Sequence, residues 1–212
     1  MSMNRVERKF VFENGFKSKN VIQSLQKNFS IKKIFNPRGI NTIYFDTNKL
    51  DYLYDNLSGI KNRVKSRIRF YNENDQIIYE EKIKKNEIGL KRKDFIISEC
   101  KKTLNYENAL KNFKKSSIYI NSKYFLKETL FVKYNREYFT DIFGNFITHD
   151  TKIEFFDVKF FKKPVLYKKS IIEYKINEKN FERNLFYKFN IRYSRHSKYV
   201  VGMALLNKTS YV

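Results

Sequence analysis

The stretch Arg63–Lys85, RVKSRIRFYNENDQIIYEEKIKK, constrains the fold more than any other part of the chain. It reads as two β-strands joined by the polar turn NENDQ. Strand side chains alternate between two faces. Lys65, Arg67, Arg69 and Tyr71 therefore share one side, and Val64, Ile68 and Phe70 the other. In the second strand Ile78, Glu80, Lys82 and Lys84 fall together, while Tyr79, Glu81 and Ile83 face away. Such a hairpin has an apolar face fit for packing and a second face with a row of cations and one carboxylate. That second face is either a solvated outer surface or the lining of a polyanion site. Two arginines on one face beside Lys65 repel one another unless an anion sits there, which favours the second reading.

The flanking sequence supplies more strands. Arg5–Phe12 places Val6, Arg8, Phe10 and Phe12 on one side, and Arg5, Glu7, Lys9 and Val11 on the other. Ser18–Phe29 carries Val21, Ile22, Leu25 and Phe29 at helical spacing, with Ser18 as N-cap. The turn NPRGI precedes a strand at Asn41–Thr47 and a short helix ending at Leu57. Glu87–Ile97 is a strand with Lys91 and Lys93 on one face. Asn105 to Lys127 reads as helix. Leu130–Thr140 is a strand pointing Val132, Tyr134, Arg136 and Tyr138 together, and DIFGN leads into Phe146–Asp150, continued by Thr151–Phe161. Ile171–Ile176 is a further strand, with Ile171, Glu173 and Lys175 on one side. Asn180–Phe189 reads as helix, and Tyr199–Leu206 as a short apolar segment. About eight strands with hairpin-length gaps, interrupted by helices, predict a single α+β domain over residues 1–212 built on a large antiparallel sheet. A sheet of that size can close into a barrel that holds a ligand.

Composition limits the function. A chain of 212 residues with 21 Phe and 16 Tyr can build one large aromatic core, and 6 Gly and 2 Pro argue against long flexible linkers. The formal net charge of +22 suggests a polyanionic partner. Much of the excess is Lys in an Asn-, Ile- and Tyr-rich chain, the drift of an AT-rich genome, so placement says more than the sum. The lone Cys100 excludes an internal disulfide and a Cys-based zinc site, and His149 and His196 lie far apart in sequence. Both histidines read as incidental or hydrogen-bonding residues rather than catalytic bases, and Cys100 as incidental. No apolar run is long enough to span a bilayer and no signal peptide is evident, so a cytoplasmic protein without a transmembrane segment is expected.

Three strands repeat one small pattern: Glu7-x-Lys9, Glu80-x-Lys82 and Glu173-x-Lys175. Each sets a carboxylate and an ammonium on one face. If these faces converge inside a barrel, Lys9, Lys65, Arg67, Arg69, Lys82, Lys84, Lys91, Lys93, Arg136 and Lys175 meet there. An unpaired buried ion costs several kcal/mol, and a phosphate chain supplies the missing negative charge. Carboxylates in such a place suit Mg²⁺ or Mn²⁺ bridging phosphate oxygens. Cationic clamps with a hard metal are what phosphoryl transfer requires. No Walker-type or kinase motif is present, so side chains would hold the phosphate.

The segments ERKFVF, NTIYFDT, RIRFY followed by EEK, YNREY, ITHDT, IIEYKI and HSKYVVG occur in the order found in VTC domains. These form the polyphosphate-polymerase branch of the triphosphate tunnel metalloenzymes, and the resemblance runs from Arg5 to Met203. It implies a closed antiparallel tunnel barrel with helices packed outside, in which the γ-phosphate of ATP passes to a growing polyphosphate chain. The catalytic cations implied are Lys9, Arg67, Arg69, Lys82, Arg136 and Lys198. Substrate contacts fall to Lys84, Tyr134, Lys175, Arg195 and Ser197, and to Lys91 or Lys93 at the one basic position of the strand between. Glu173 resembles the metal-binding glutamate, with Glu7 and Glu80 as further candidates for Mn²⁺ or Mg²⁺. Ser197 is read as a hydrogen-bond donor to phosphate rather than a nucleophile. The chain departs from the pattern at Phe146-Ile147-Thr148-His149-Asp150, where Phe146 stands in place of an expected arginine and His149 in place of an apolar residue.

Two other functions compete. A tunnel-type triphosphatase usually carries Glu-x-Glu-x-Lys on its first strand, where this chain has Arg5, Glu7 and Lys9. Fewer acids leave less means to activate a water. A non-catalytic polyphosphate- or nucleic-acid-binding module would expose aromatic platforms beside its cations. The aromatics here lie mostly opposite the cations, so no nucleic-acid partner is expected.

Overall fold

Period-two alternation is realised as nine strands in the computed structural model, which describes residues 5–13, 15–71, 76–85, 88–97, 104–121, 125–160, 163–177 and 191–209. In chain order these are β1 (Arg5–Phe12), β2 (Lys32–Asp46), β3 (Arg63–Tyr71), β4 (Gln76–Lys85), β5 (Ile88–Ile97), β6 (Lys127–Thr140), β7 (Phe146–Phe156), β8 (Val165–Tyr167) and β9 (Ser170–Asn177). Helices are α1 (Gly15–Phe29), α2 (Asp51–Leu57), α3 (Tyr106–Lys115), α4 (Ser117–Ile120) and α5 (Lys198–Leu205). The strand order is β1-β9-β7-β6-β2-β3-β4-β5, with β8 paired to β7. The expected α+β class and large antiparallel sheet are present. Closure into a barrel is not shown: among the described residues β5 ladders with β4 and β1 with β9. No helix is long and apolar enough to cross a membrane among the described residues.

Several boundaries differ from the sequence reading, each for a local reason. NPRGI lies within β2 rather than forming a turn. Proline's fixed φ suits extended backbone and pushes the residue before it towards the same region. The helix expected from Asn105 is two helices broken at Ser116, whose backbone is extended (φ −72°, ψ 148°). Ser116 Oγ donates to Phe113 O (2.6 Å) and caps α4 by accepting from Tyr119 N. Strand geometry has already resumed at Lys127. Ser18 is not the N-cap of α1 but a residue inside it, and β7 stops at Phe156 rather than Phe161. The apolar segment after Lys198 is helix α5. The predicted helix at Asn180–Phe189, most of the NENDQ turn, and Cys100 fall outside the described residues.

The chain forms two compact units. Unit 1 comprises Met1–Arg38, Tyr134–Ile153 and Leu166–His196; unit 2 comprises Gly39–Lys133, Glu154–Val165 and Ser197–Val212. In unit 1 the alternation buries Phe10 and Phe12 of β1, Ile172, Tyr174 and Ile176 of β9, and Ile147 of β7 under Ile22 and Leu25 of α1. In unit 2 the core joins Ile43 and Phe45 of β2, Ile68 and Phe70 of β3, and Ile77 and Tyr79 of β4 to Ala109 and Phe113 of α3. Phe113 lies 4.8 Å from the Phe45 ring and 5.3 Å from Tyr79, within the range of favourable aromatic pairs. Gly202 lets α5 approach this unit's sheet closely, since a Cβ there would meet Leu130 Cδ2 and Phe155 Cδ1, each at 2.6 Å.

His149 lies on the core face of unit 1, where an apolar residue was expected, and polar partners make this possible. Its Nε2 pairs with Ser18 Oγ at 2.8 Å and its Nδ1 with Glu137 Oε2 at 3.2 Å. Ser18 also donates to Gly15 O and accepts from Ser170 Oγ. Ser18 is fully buried and its hydroxyl fully engaged, so this Ser–His–Glu arrangement is structural. Burial pushes the His149 pKa below its usual value, against the opposing pull of Glu137 and Asp150. The unfolded chain therefore binds a proton that the folded chain resists. Stability attributable to His149 is full above about pH 6.5, the unfolded value, and is lost as pH falls below it. The melting temperature of the wild type should drop between pH 7.5 and 5.5 by more than that of His149→Gln; equal drops would rule out this role.

Candidate polyanion site

Strand register decides which charges share a face, because residues directly opposite in an antiparallel ladder project the same way. In unit 2, Arg67 lies opposite Tyr44 on β2 and Glu80 on β4, and Glu80 lies opposite Lys93 on β5. Lys65 lies opposite Lys82, which lies opposite Lys91, and Thr42 opposes Arg69. One sheet face thus gathers Lys65, Arg67, Arg69, Glu80, Lys82, Lys84, Lys91 and Lys93. The other face is the buried core of Ile68, Phe70 and Tyr79.

Glu80 is the hub. It is 4% exposed and accepts from Arg67 Nε at 2.7 Å, with Lys91 Nζ at 2.8 Å and Arg69 Nη1 at 3.8 Å. Burial alone would raise its pKa, but Arg67, Arg69 and Lys91 together hold it well below the usual carboxylate range. Burial pushes Lys91 down to about 8 against the opposing pull of Glu80. Glu80 organises this cluster, and a metal there would have to displace its cations. Arg67 Nη1 also reaches the Tyr44 hydroxyl (3.4 Å), and Lys65 donates to Ser197 Oγ (3.1 Å) at the start of α5. Lys198 is the first residue of that helix. Lys82 and Lys93 are exposed, and Lys84 is half-buried. One carboxylate is therefore set among seven cations.

Unit 1 builds a second charged face by the same rule. Lys9 lies opposite Glu173 and Glu7 opposite Lys175, while β7 places Thr148 opposite Glu173 and Phe146 opposite Lys175. Arg136 joins from β6. Its Nε and Nη2 grip Asp150 as a bidentate pair at 2.5 and 2.7 Å, and Nη2 lies 4.0 Å from Glu173. Arg136 is 7% exposed, and Asp150 holds its proton far more tightly than usual against the opposing effect of burial. Its guanidinium lies 5.3 Å from the centroid of the buried Tyr134 ring. Burial would raise Glu173, but Lys175, Lys9 and Arg136 hold it well below the usual range. Lys9 Nζ donates to His196 O at 2.9 Å, Glu7 is exposed, and Arg195 is exposed in the segment before α5.

Each unit thus brings together most of the residues expected of it: Arg67, Arg69, Lys82, Lys84, Lys91 and Lys93 in one, and Lys9, Arg136, Glu173 and Lys175 in the other. The sequence reading missed Asp150 as the partner of Arg136. Their equal spacing either side of the DIFGN turn was the available signal. It also missed Tyr44, which the alternation of NTIYFDT places on the cationic face.

No group of three acidic, His or Cys side chains able to hold a metal occurs among the described residues. Asp150 is fully buried and spent on Arg136. Glu173, half-buried beside Lys9, is the carboxylate in a position to contribute. Mg²⁺ typically takes one or two carboxylates and completes its shell with phosphate oxygens and water. The donor set therefore fits a hard cation arriving with its phosphates, not a prebuilt metal cage.

The chain matches the VTC domain over residues 4–207, nearly its whole length. It belongs to the VTC domain family. No curated protein matches it. Solved structures resemble this VTC domain at 14% identity, which speaks to the fold. The PH1819 protein of Pyrococcus horikoshii OT3 aligns with TM-score 0.55 over 97% of this chain and 100% of its own. A candidate adenylyl cyclase from Hippeastrum, described as having a dominant triphosphatase activity, aligns with TM-score 0.54 over 95% and 96%. A candidate adenylate cyclase from Vibrio parahaemolyticus also reaches 0.54, over 95% and 99%. The VTC domain therefore shares its fold with these proteins across nearly its entire length.

Proposed function

We propose that this VTC domain is a polyphosphate polymerase that transfers the γ-phosphate of ATP to a growing polyphosphate chain, assisted by Mn²⁺ or Mg²⁺. The closed tunnel of the family is part of this reading. The observation that carries it is the excess of cations on one sheet face of unit 2, where Lys65, Arg67, Arg69, Lys82, Lys84, Lys91 and Lys93 share a face with the single carboxylate Glu80; in unit 1 Lys9, Arg136 and Lys175 share a face with Glu7, Asp150 and Glu173. A phosphate chain brings the compensating charge, and its oxygens accept from the planar forks of the arginines. Glu173 would hold the metal, which when bound neutralises charge on the transferred phosphoryl group. Glu80 keeps Arg67, Arg69 and Lys91 aimed, so the site pays no reorganisation when substrate arrives. The scarcity of free carboxylates favours transfer over hydrolysis, since water activation calls for a general base or a metal-bound hydroxide.

Purified protein given ATP and Mn²⁺ should make polyphosphate long enough to resolve on a gel, with matching ADP release. Orthophosphate release without polymer would assign a triphosphatase instead. Background levels of both, with RNA competing against polyphosphate for binding, would leave only a polyanion-binding module.

A further inference from the structure

The charged face of unit 1 is not uniformly charged. Phe146, the first residue of β7, lies directly opposite Lys175 in the ladder and is 37% exposed among cations and carboxylates. Tyr138 lies two residues beyond Arg136 on β6, and therefore on the same side of that strand. Its ring meets Phe35 of β2 edge-on, with centroids 5.7 Å apart, and Phe35 is 50% exposed. The Arg38 guanidinium stands over Phe35 at 5.6 Å. Thr148 lies between Phe146 and Asp150 on the same face of β7. It is 4% exposed, and its Oγ1 has no hydrogen-bond partner among the described residues. A buried hydroxyl without a partner is costly, so this one points to a ligand that completes it.

We infer that Phe146, with Tyr138 and Phe35, forms a stacking subsite for the nucleobase of a nucleoside triphosphate whose phosphates lie on the adjoining cations. The inference rests on the polymerase reading and adds how the nucleotide donor is told apart from a bare phosphate chain. Successive same-face positions on a strand lie about 7 Å apart. A base over Phe146 sets the ribose near Thr148 and the phosphates towards Lys9, in the same row across Glu173. The adjoining ammonium groups are Lys175, directly opposite Phe146, and Lys9, level with Thr148 across Glu173, so phosphates leaving a base on the rings meet cations on the same face. An aromatic platform holds any base without reading its edge, so ATP and GTP should bind alike. Phe146 then takes the place of a phosphate clamp, exchanging an anion contact for a base contact.

The test compares a β,γ-imido analogue of ATP with inorganic tripolyphosphate, both with Mg²⁺, on the full chain by calorimetry. Phe146→Ala should weaken the nucleotide about tenfold, the lower part of the range for loss of one base stack, while tripolyphosphate changes less than twofold. Phe146→Arg should tighten tripolyphosphate and leave the nucleotide weaker relative to it. An etheno-adenine nucleotide should be quenched on binding the wild type and much less by Phe146→Ala. If nucleotide and tripolyphosphate weaken by the same factor, or neither changes, the stacking subsite is wrong while the polymerase reading stands. If the wild type binds neither ligand, both fall.

Discussion

Asp150→Ala should lower the melting temperature by about 10 °C. The variant leaves the Arg136 guanidinium buried with its two short hydrogen bonds gone and Glu173, 4.0 Å away, as its remaining carboxylate. Breaking a buried pair from one side costs about 3–5 kcal/mol, and each kcal/mol shifts a domain of this size by about 2–4 °C. Asp150→Asn keeps one acceptor and should fall between. The double variant Arg136→Met, Asp150→Leu removes both charges and should recover most of the loss. It should nevertheless be inactive, because Arg136 is part of the proposed phosphate site. Thermal melts of the four proteins settle the matter, and a shift under about 2 °C for Asp150→Ala would show that the pair is not what holds this end of the sheet.

The second large effect falls on activity. Replacing Arg67 and Arg69 together with alanine should cut polyphosphate synthesis by at least about 10²-fold, the usual cost of losing a preorganised charge-stabilising donor. Arg69 is buried and Arg67 is 26% exposed at its side chain, so the double variant also costs stability and its fold has to be followed alongside its rate. The double variant also leaves Glu80, buried and ionised, with Lys91 as its nearest remaining cation, which turns the local charge against phosphate. The doubly lysine-substituted form keeps the charge without the planar fork and should recover only part of the rate. Steady-state assays with circular dichroism as a folding control would test this, and near-wild-type turnover in the alanine form would remove these residues from the mechanism.

Much of this protein is legible in its sequence. Alternation in RVKSRIRFY and IIYEEKIKK correctly separates the face of Arg67, Arg69, Lys82 and Lys84 from the face of Ile68, Phe70 and Tyr79. The side-chain period of a strand is two, and a slip of one residue would bury the cations. The ordered segments from ERKFVF to HSKYVVG identify the family. Boundaries were less legible. Ser18 looks like an N-cap, and only its hydrogen bonds to His149 and Ser170, more than a hundred residues away in sequence, show why a polar residue is tolerated inside the core. NPRGI looks like a turn, yet proline's torsion suits an extended strand equally well.

Sequence by itself determined the two-faced strands, the aromatic core and the family, because these follow from alternation and order along the chain. Tertiary structure alone decided what each charge does. Ladder register placed Glu80 beneath three cations, tied Arg136 to Asp150 and left Phe146 exposed opposite Lys175. Such pairings depend on which strand lies beside which and in what register, and a Glu-x-Lys string is the same string whether its carboxylate meets water, a metal or an arginine.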